Sequence, residues 1–400
     1  MSMKKRIFIA AHYLEIGGAE ISLIGLLNEF DYSKYEVDLF LYSVRGELLP
    51  LVPEEVNILP EIQQYAQIEA PLKETIAKGF FRHSIARLKA KYKYRRWAKR
   101  NNPKTIETYY QYLDDELIPT LPDLFHLGEY DLAINFIGQK NVIPNKIRAR
   151  KTISWIHTDM AYTTLDVARE FRAWNAYDYI ASISPAVTSS FISLFPSLES
   201  KIVEIENILS PDFVRTRADE FDASSEFRGI SILSIGRYTH QKNFDNVPDI
   251  VRRLVKDGIA NVYWYIIGYG VEEELIRKRI QESGMEDYVI LLGKKNNPYP
   301  YIKACDIYVQ PSRYEGKSVT VREAQMLGKP VVVTNYKTAT SQIKDGIDGV
   351  IVPMDNSGCA RGIAKLILDV AKQKAISYYC STHDFGNTAE VEKIYRLIDE

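Results

Sequence analysis

Two carboxylates, Glu315 and Glu323, stand eight residues apart in QPSRYEGKSVTVREAQMLGKPVVV, Gln310 to Val333. The apolar run DIYVQPS reads as a strand, and Ser318 to Leu327 as a helix stopped by Gly328 and Pro330. An acid–nucleophile pair flanking one glycosidic bond needs carboxyls roughly 5–9.5 Å apart. Eight residues of helix rise about 12 Å instead. That spacing suits the two ends of one extended ligand, such as a nucleotide sugar with hydroxyls at both ends and phosphates between. The N–H groups of Gly316, Lys317 and Ser318 are expected free at the helix start, where the dipole is positive and anions bind. Gly316 permits close backbone approach. The plainer alternative is that Glu323 only stabilises the first turns of its helix.

A second constellation is ILSIGRYTHQKN, Ile232 to Asn243. Its apolar strand ends at Gly236, and Arg237 and Lys242 follow. Arginine offers a planar fork for phosphate and lysine a mobile point charge. Together they can neutralise a diphosphate leaving group as its charge develops; a surface pair at a strand end is the alternative. The third is TISWIHTDM, where His157 and Asp159 follow an apolar strand. His157 is a candidate active-site residue or a structural histidine, and Asp159 a site residue or a helix cap. His12 lies beside a glycine loop and His240 inside the Arg–Lys loop.

Elements in a definite rhythm must hold these residues. RIFIAA, EVDLFLYS, DLAINFIG, TISWIHT and YIASIS are continuous apolar runs with helical stretches between them, and such runs mark parallel strands covered on both faces. After a polar stretch from Asn207 the pattern restarts with ISILSIGR, VYWYIIGYG, VILLG, DIYVQPS, PVVVTN and GVIVP. Two βα arrays in series predict an α/β protein of two Rossmann-like domains with parallel sheets facing a central cleft. The expected divisions are 1–207, 208–375 and a C-terminal helix over 376–400 that packs back toward the first domain. Between about 70 and 120 the strand rhythm breaks for a basic helical insertion. There Phe81, Ile85, Leu88 and Tyr92 share one helical stripe, and Arg82, Lys89, Lys93, Arg96 and Arg100 another. This helix is either a solvated surface or a dock for anionic lipid.

Composition narrows the class. The 400 residues are 46% hydrophobic and 26% charged, as in soluble proteins with real cores. No apolar run approaches the roughly 20 residues of a membrane span, and Met1-Ser-Met-Lys-Lys-Arg runs directly into a short strand without a leader-like segment. The net charge of −1 conceals ten Lys/Arg and no acid between Lys78 and Arg100, on an otherwise acidic chain. Nucleic-acid binders spread positive charge over a domain, so that class is excluded. Cys305, Cys359 and Cys380 show no metal spacing and suit free thiols in a reducing cytoplasm.

Three motifs occur in one order: Gly17-Gly18-Ala19-Glu20, Gly236-Arg237-x4-Lys242, and Glu315-x7-Glu323 followed by Ala324 and Gly328-Lys-Pro-Val. In these the chain resembles the retaining glycosyltransferases of family 4, glycosyl transferases group 1, of GT-B fold and cell-surface polysaccharide type. The resemblance covers most of the chain and is weakest between Gln67 and Thr120. It implies a metal-independent, hexosyl-type transferase with an acceptor-binding first domain and a nucleotide-sugar-binding second domain. It assigns the donor diphosphate to Arg237 and Lys242, sugar hydroxyls to Glu315, and the ribose to Glu323. Support for phosphate and sugar falls to Gly236, Gly316, Lys317 and Ser318, approach from the first domain to Gly17 and Gly18, and a place beside the reacting sugar to His157. A UDP-sugar donor, a glycan or lipid-linked acceptor, as in capsule or lipopolysaccharide synthesis, and no metal or other cofactor are expected. So is a cytoplasmic protein, peripheral on the inner face of the plasma membrane through the 78–100 helix. Lys317 departs from the aromatic or glycine common after Glu-Gly in this family. A nucleotide-sugar epimerase of the same architecture and a non-catalytic partner subunit are the alternatives.

Overall fold

The apolar runs become the strands of two separate sheets. In the computed structural model, which describes residues 4–103, 106–158, 160, 163–259 and 261–400, the chain divides into two compact units. One comprises the chain through Ile208 together with Thr388–Glu400, and the other is Leu209–Asn387.

Among the described residues the first unit holds β1 (Lys5–Ala11), β2 (Tyr35–Leu41), β3 (Asn57–Ile58), β4 (Glu129–Ile137), β5 (Arg148–Ile156), β6 (Tyr179–Ser182) and β7 (Ile202–Glu204). They pair in the order β3-β2-β1-β4-β5-β6-β7, all parallel. The second unit holds β8 (Ile230–Ile235), β9 (Val262–Ile267), β10 (Val289–Gly293), β11 (Ile307–Gln310), β12 (Val331–Thr334) and β13 (Val350–Val352). Their order is β10-β9-β8-β11-β12-β13, again all parallel. Each order reverses beside its first strand, between β1 and β4 and between β8 and β11. Such a switch point leaves a crevice at the carboxyl ends of the strands.

Burial explains the runs. β11 and β12 are buried at every position, as strands covered on both faces must be. Ser234 of β8 ties three strands: its hydroxyl accepts from Trp264 Nε1 of β9 at 2.9 Å and donates to the Val309 carbonyl of β11 at 2.5 Å. Trp264 anchors the second core with Ile232, Val309 and Ile363, while Phe8, Phe40, Tyr65 and Tyr130 anchor the first. The edge strands β3 and β7 carry too few residues to show as apolar runs. All three cysteines are buried free thiols, and burial pushes each up to about 12.

Two elements differ from expectation. The segment 376–400 is not one returning helix. Its first part belongs to the helix Val370–Thr382, whose Ile376 and Cys380 lie in the second core. Gly386 then fits against Pro211, whose ring would stand 2.7 Å from any Cβ added there. Only Thr388–Glu400, with the helix Val391–Asp399, belongs to the first unit, where Tyr395 stacks on Tyr35 at 4.4 Å and accepts the Asp31 N–H at 2.7 Å.

Between Gln67 and Thr120 the expected helical insertion is present as the helices Leu72–Ala77, Phe81–Asn101 and Glu107–Leu117, and the second difference lies in how one of them is turned. The basic helix Phe81–Asn101 is turned against the usual amphipathic sense. Its buried positions are His83, Ser84, Ala86 and Ala90. The apolar stripe faces solvent, with Phe81, Ile85, Leu88 and Tyr92 exposed by 63, 53, 53 and 67%. From the inner face Arg87 donates to the carbonyls of Gln67 and Ala70 and to Thr75 Oγ1 at 3.2 Å. Among the described residues no helix is long and apolar enough to cross a membrane.

Candidate active site

The switch point of the second sheet gathers what the sequence scatters. Gly236 and Arg237 follow β8, and Ser312 and Glu315 follow β11. Lys242 reaches its place by lying along Gly236: a Cβ on Gly236 would stand 3.0 Å from Lys242 Cε and 3.1 Å from Cδ. A neighbouring glycine, Gly268 at φ +154, is required outright, because its Cβ would fall 1.9 Å from the Gly236 carbonyl oxygen. Lys242 Nζ then meets Glu315 Oε1 at 2.6 Å. Ser312 Oγ donates to the same oxygen at 2.6 Å, and Gln241 Nε2 donates to Oε2 at 3.1 Å.

The two loops are tied together behind this cluster. The Arg313 N–H donates to the Gln241 carbonyl at 2.8 Å, and its guanidinium pairs with Asp245 at 2.8 Å. Asn243, left-handed at φ 62, donates through Nδ2 to the Pro311 carbonyl at 2.9 Å. Behind Ser312, the Gln310 side-chain amide donates to Ser312 Oγ at 2.9 Å and accepts from Tyr308 Oη at 2.9 Å. Arg237 is exposed and makes no ion pair or side-chain hydrogen bond among the described residues. His240 is exposed too, and its carbonyl receives Arg313 Nη1 at 2.5 Å.

Glu323 is no surface carboxylate. It is 0% exposed; Tyr299 Oη donates to Oε1 at 2.7 Å, and Oε2 is buried with no hydrogen-bond partner among the described residues. Burial pushes its carboxyl up to about 7, against the Tyr299 hydrogen bond. A buried acceptor without a donor suits a ligand that brings hydroxyls.

The expectation of three free amides at the helix start needs correction. The helix runs Val319–Met326, and the Ser318 N–H donates to Gln342 Oε1 at 2.9 Å. Gln342 Nε2 returns a bond to the Ser318 carbonyl at 2.6 Å. The helix Ala339–Gln342 thus delivers an amide side chain that occupies the Ser318 amide. Gly316 and Lys317 lie half-buried just before it.

In the first unit Gly17 caps the helix Gly18–Asn28. The Glu20 carboxylate curls over Gly17, with Oε2 2.1 Å from where a Cβ would lie, while Gly18 has open space around it. His157 follows β5 and donates through Nε2 to the Phe136 carbonyl at 2.8 Å; its Nδ1 is buried and has no hydrogen-bond partner among the described residues. Burial pushes His157 down to about 4, against that hydrogen bond. The ring is therefore neutral at physiological pH, with a bare acceptor at Nδ1. His12 follows β1, and its Nδ1 is bonded to Glu69. Asp159 lies outside the described residues.

Sequence reasoning missed Gln241, Ser312, Tyr299 and Gln342. Tyr299 and Gln342 lie 24 residues to either side of their partners, and only the fold brings them together. Gln241 and Ser312 flank recognised positions, but no spacing rule marks them.

Residues 218–382 match the family described as Glycosyl transferases group 1. A lipopolysaccharide core biosynthesis glycosyltransferase of Rhizobium meliloti, LpsE, is 28% identical over 139 residues, 34% of this chain and 39% of that protein. The N-acetylgalactosamine-N,N'-diacetylbacillosaminyl-diphospho-undecaprenol 4-alpha-N-acetylgalactosaminyltransferase of Campylobacter jejuni is 31% identical over 146 residues, 36% of this chain and 39% of that protein. The chain thus spans about two-fifths of the length of these curated relatives. Over nearly full length it is similar in structure to Anabaena Alr3699/HepE in complex with UDP and glucose, with a TM-score of 0.71, 15% identity and 99% of each chain covered. The fold likeness extends to an S. aureus TarM variant, with a TM-score of 0.68, 14% identity, and 99% of this chain and 100% of that one covered. The chain has the GT-B fold, and residues 218–382, the greater part of its second unit, match the glycosyl transferases group 1 family.

Proposed function

We propose that this protein is a retaining glycosyltransferase that moves a sugar from a nucleotide-sugar donor, a UDP-sugar by preference, to a glycan or lipid-linked glycan in cell-surface polysaccharide synthesis. The observation that carries the reading is the convergence of Arg237, Lys242, Glu315 and the buried, half-partnered Glu323 in one unit. Arg237 and Lys242 take the diphosphate and neutralise it as it leaves, so that no metal is called for. Glu323 Oε2 takes a ribose hydroxyl. Glu315 takes sugar hydroxyls, and for this its contact with Lys242 loosens as the phosphates draw the lysine away. Gly236, Gly316, Lys317 and the first turn of Val319–Met326 line the phosphate and sugar, with Gly17, Gly18 and His157 serving from the first unit. In the reaction the bond from the anomeric carbon to the phosphate oxygen breaks. The bond to the acceptor oxygen forms on the same face, and the acceptor proton passes to the leaving phosphate oxygen.

The exposed apolar stripe of Phe81–Asn101, continued by exposed Arg95, Arg96 and Lys99, supports docking on an anionic membrane. We place the enzyme in the cytoplasm, peripheral on the inner face of the plasma membrane.

A thermal-shift panel with UDP, GDP and ADP tests the donor site. A ligand bound only to the folded state at 100 times its Kd stabilises by about 2.7 kcal/mol. A selective shift with UDP is expected. Glu315→Ala should keep that shift and lose sugar transfer; near-normal transfer by this variant, or no shift with any nucleotide, would end the reading.

A further inference from the structure

The loop from Pro311 to Ser318, which carries Glu315, has no strand or helix of its own. Its backbone polar groups must find partners outside any ladder. Some of them are served by the loop after β8. The Pro311 carbonyl accepts from Asn243, the Arg313 N–H donates to the Gln241 carbonyl, and the Tyr314 carbonyl accepts from Gln241 Nε2 at 3.1 Å. Others are served by three side chains at the end of β12 and just beyond it. Thr334 Oγ1 donates to the Ser312 carbonyl at 2.5 Å, and Thr338 Oγ1 donates to the Glu315 carbonyl at 2.7 Å. Gln342 bonds both the N–H and the carbonyl of Ser318.

These contacts keep a regular step. Thr334, Thr338 and Gln342 stand four residues apart, and their partners Ser312, Glu315 and Ser318 stand three apart. Thr338 is the N-cap residue of the helix Ala339–Gln342, so it and Gln342 fall about one turn apart on the same face. The segment that bears them is anchored independently of the loop. Tyr336, Ala339 and Ile343 are buried, and the Asn335 N–H donates to the Val352 carbonyl at 2.8 Å. An anchored segment thus holds the loop by its main chain at three points, with Gly316 and Lys317 between the last two.

This rail reaches Glu315 through its main-chain carbonyl, whereas the carboxylate is held by Lys242, Ser312 and Gln241. Among the described residues none of the three rail side chains bonds Arg237 or Lys242. The Glu315 carboxylate can therefore exchange Lys242 for another partner while its own backbone stays in place. A shift of about 1 Å in such a group costs on the order of a hundredfold in rate.

We propose that Thr338 and Gln342 are positioning residues for the donor sugar. They set the main chain of Glu315, Gly316 and Lys317 so that the loop takes the sugar of a nucleotide sugar, and they leave the nucleotide to other contacts. The inference rests on the transferase reading above and adds to it a second segment that acts on the sugar through the loop.

The test uses the full chain, with UDP, UDP-glucose, UDP-galactose and UDP-N-acetylglucosamine as probes. Titration calorimetry gives the Kd of each, and the ratio of the tightest UDP-sugar's Kd to that of UDP isolates what the sugar adds. The wild type should bind UDP and at least one UDP-sugar. Thr338→Val keeps the shape and loses the hydroxyl; Gln342→Met keeps the length and loses both bonds. Each should raise the ratio about fivefold, as loss of a hydrogen bond does, and leave the Kd for UDP unchanged, which also proves the variant folded. Thr338→Ser restores the hydroxyl and should return the ratio to the wild-type value. A segment that only stabilised the fold would weaken UDP and UDP-sugar alike. That equal weakening, an unchanged ratio in either variant, or failure of the serine to restore it overturns the positioning role and leaves the transferase reading intact. A wild type that binds no UDP-sugar overturns the transferase reading in its UDP form, and this inference with it.

Discussion

Glu323 holds a carboxyl at zero exposure with one oxygen unpartnered, and such a group prefers its proton. Its value in the folded protein, about 7, lies above the ordinary 4.5. The stability it supports is therefore fully present below pH 4.5 and is lost as pH rises through 7. The difference corresponds to roughly 3 kcal/mol at most. Glu323→Gln removes the titration. The variant should melt higher than the wild type at about pH 8 and show no such gain in acid. Ribose hydroxyls donating to Oε2 favour the ionised form, so UDP binding should release a proton and strengthen as pH rises toward 7. Titration calorimetry in buffers of different ionisation enthalpy reads that proton directly. A proton count of zero, with a pH-independent melting difference, would remove this account of Glu323. Residue types and spacing singled out Glu315, Glu323, Arg237 and Lys242 as candidates. They could not show that Glu315 and Lys242 touch in the unliganded molecule, because 73 residues separate them.

At the scale of elements, the strands were legible because parallel strands buried on both faces leave unbroken apolar runs, as in β8 and β12. The helix Phe81–Asn101 was legible as a helix but not in its orientation. A stripe of Phe81, Ile85, Leu88 and Tyr92 ordinarily faces a core. Here Ala86 and Ala90 allow close packing on the inner face, and His83 and Arg87 bond carbonyls there, so the larger apolar side chains are left outside. Basic residues near an anionic leaflet contribute about 1 kcal/mol each. The full chain should float with vesicles containing phosphatidylglycerol at low salt and not with neutral vesicles. A Leu88→Asp, Tyr92→Asp variant should stay in the dense fractions with an unchanged UDP shift. Flotation of that variant at the wild-type level would exclude the stripe from membrane contact.

Taken whole, the molecule keeps the proposed donor cluster and the segment braced by Arg87 on separate stretches of chain. The donor cluster and the side chains bonded to it run from Gly236 to Gln342, all within the second unit. A cavity of about 390 Å³ takes its wall from His12, Tyr13, Tyr42, Ser43 and Arg45 and from the stretch Glu61 to Lys78, and the helix that braces this stretch ends by Asn101, all within the first. Arg87 is the bolt between wall and brace, and both its ends lie inside this one stretch. Residues 61–101 therefore form one self-braced half of that wall. Grafting the corresponding stretch of a relative into this scaffold should leave the fold and the nucleotide preference unmoved, and should change the choice of acceptor only if the first unit's acceptor contacts lie within it. A graft that folds, binds UDP and still glycosylates only the host's acceptor would show that acceptor choice is written elsewhere in the chain. A graft that brings the relative's acceptor with it would show instead that new specificities arise by exchange of a segment of about forty residues, well within the size of a single supersecondary unit.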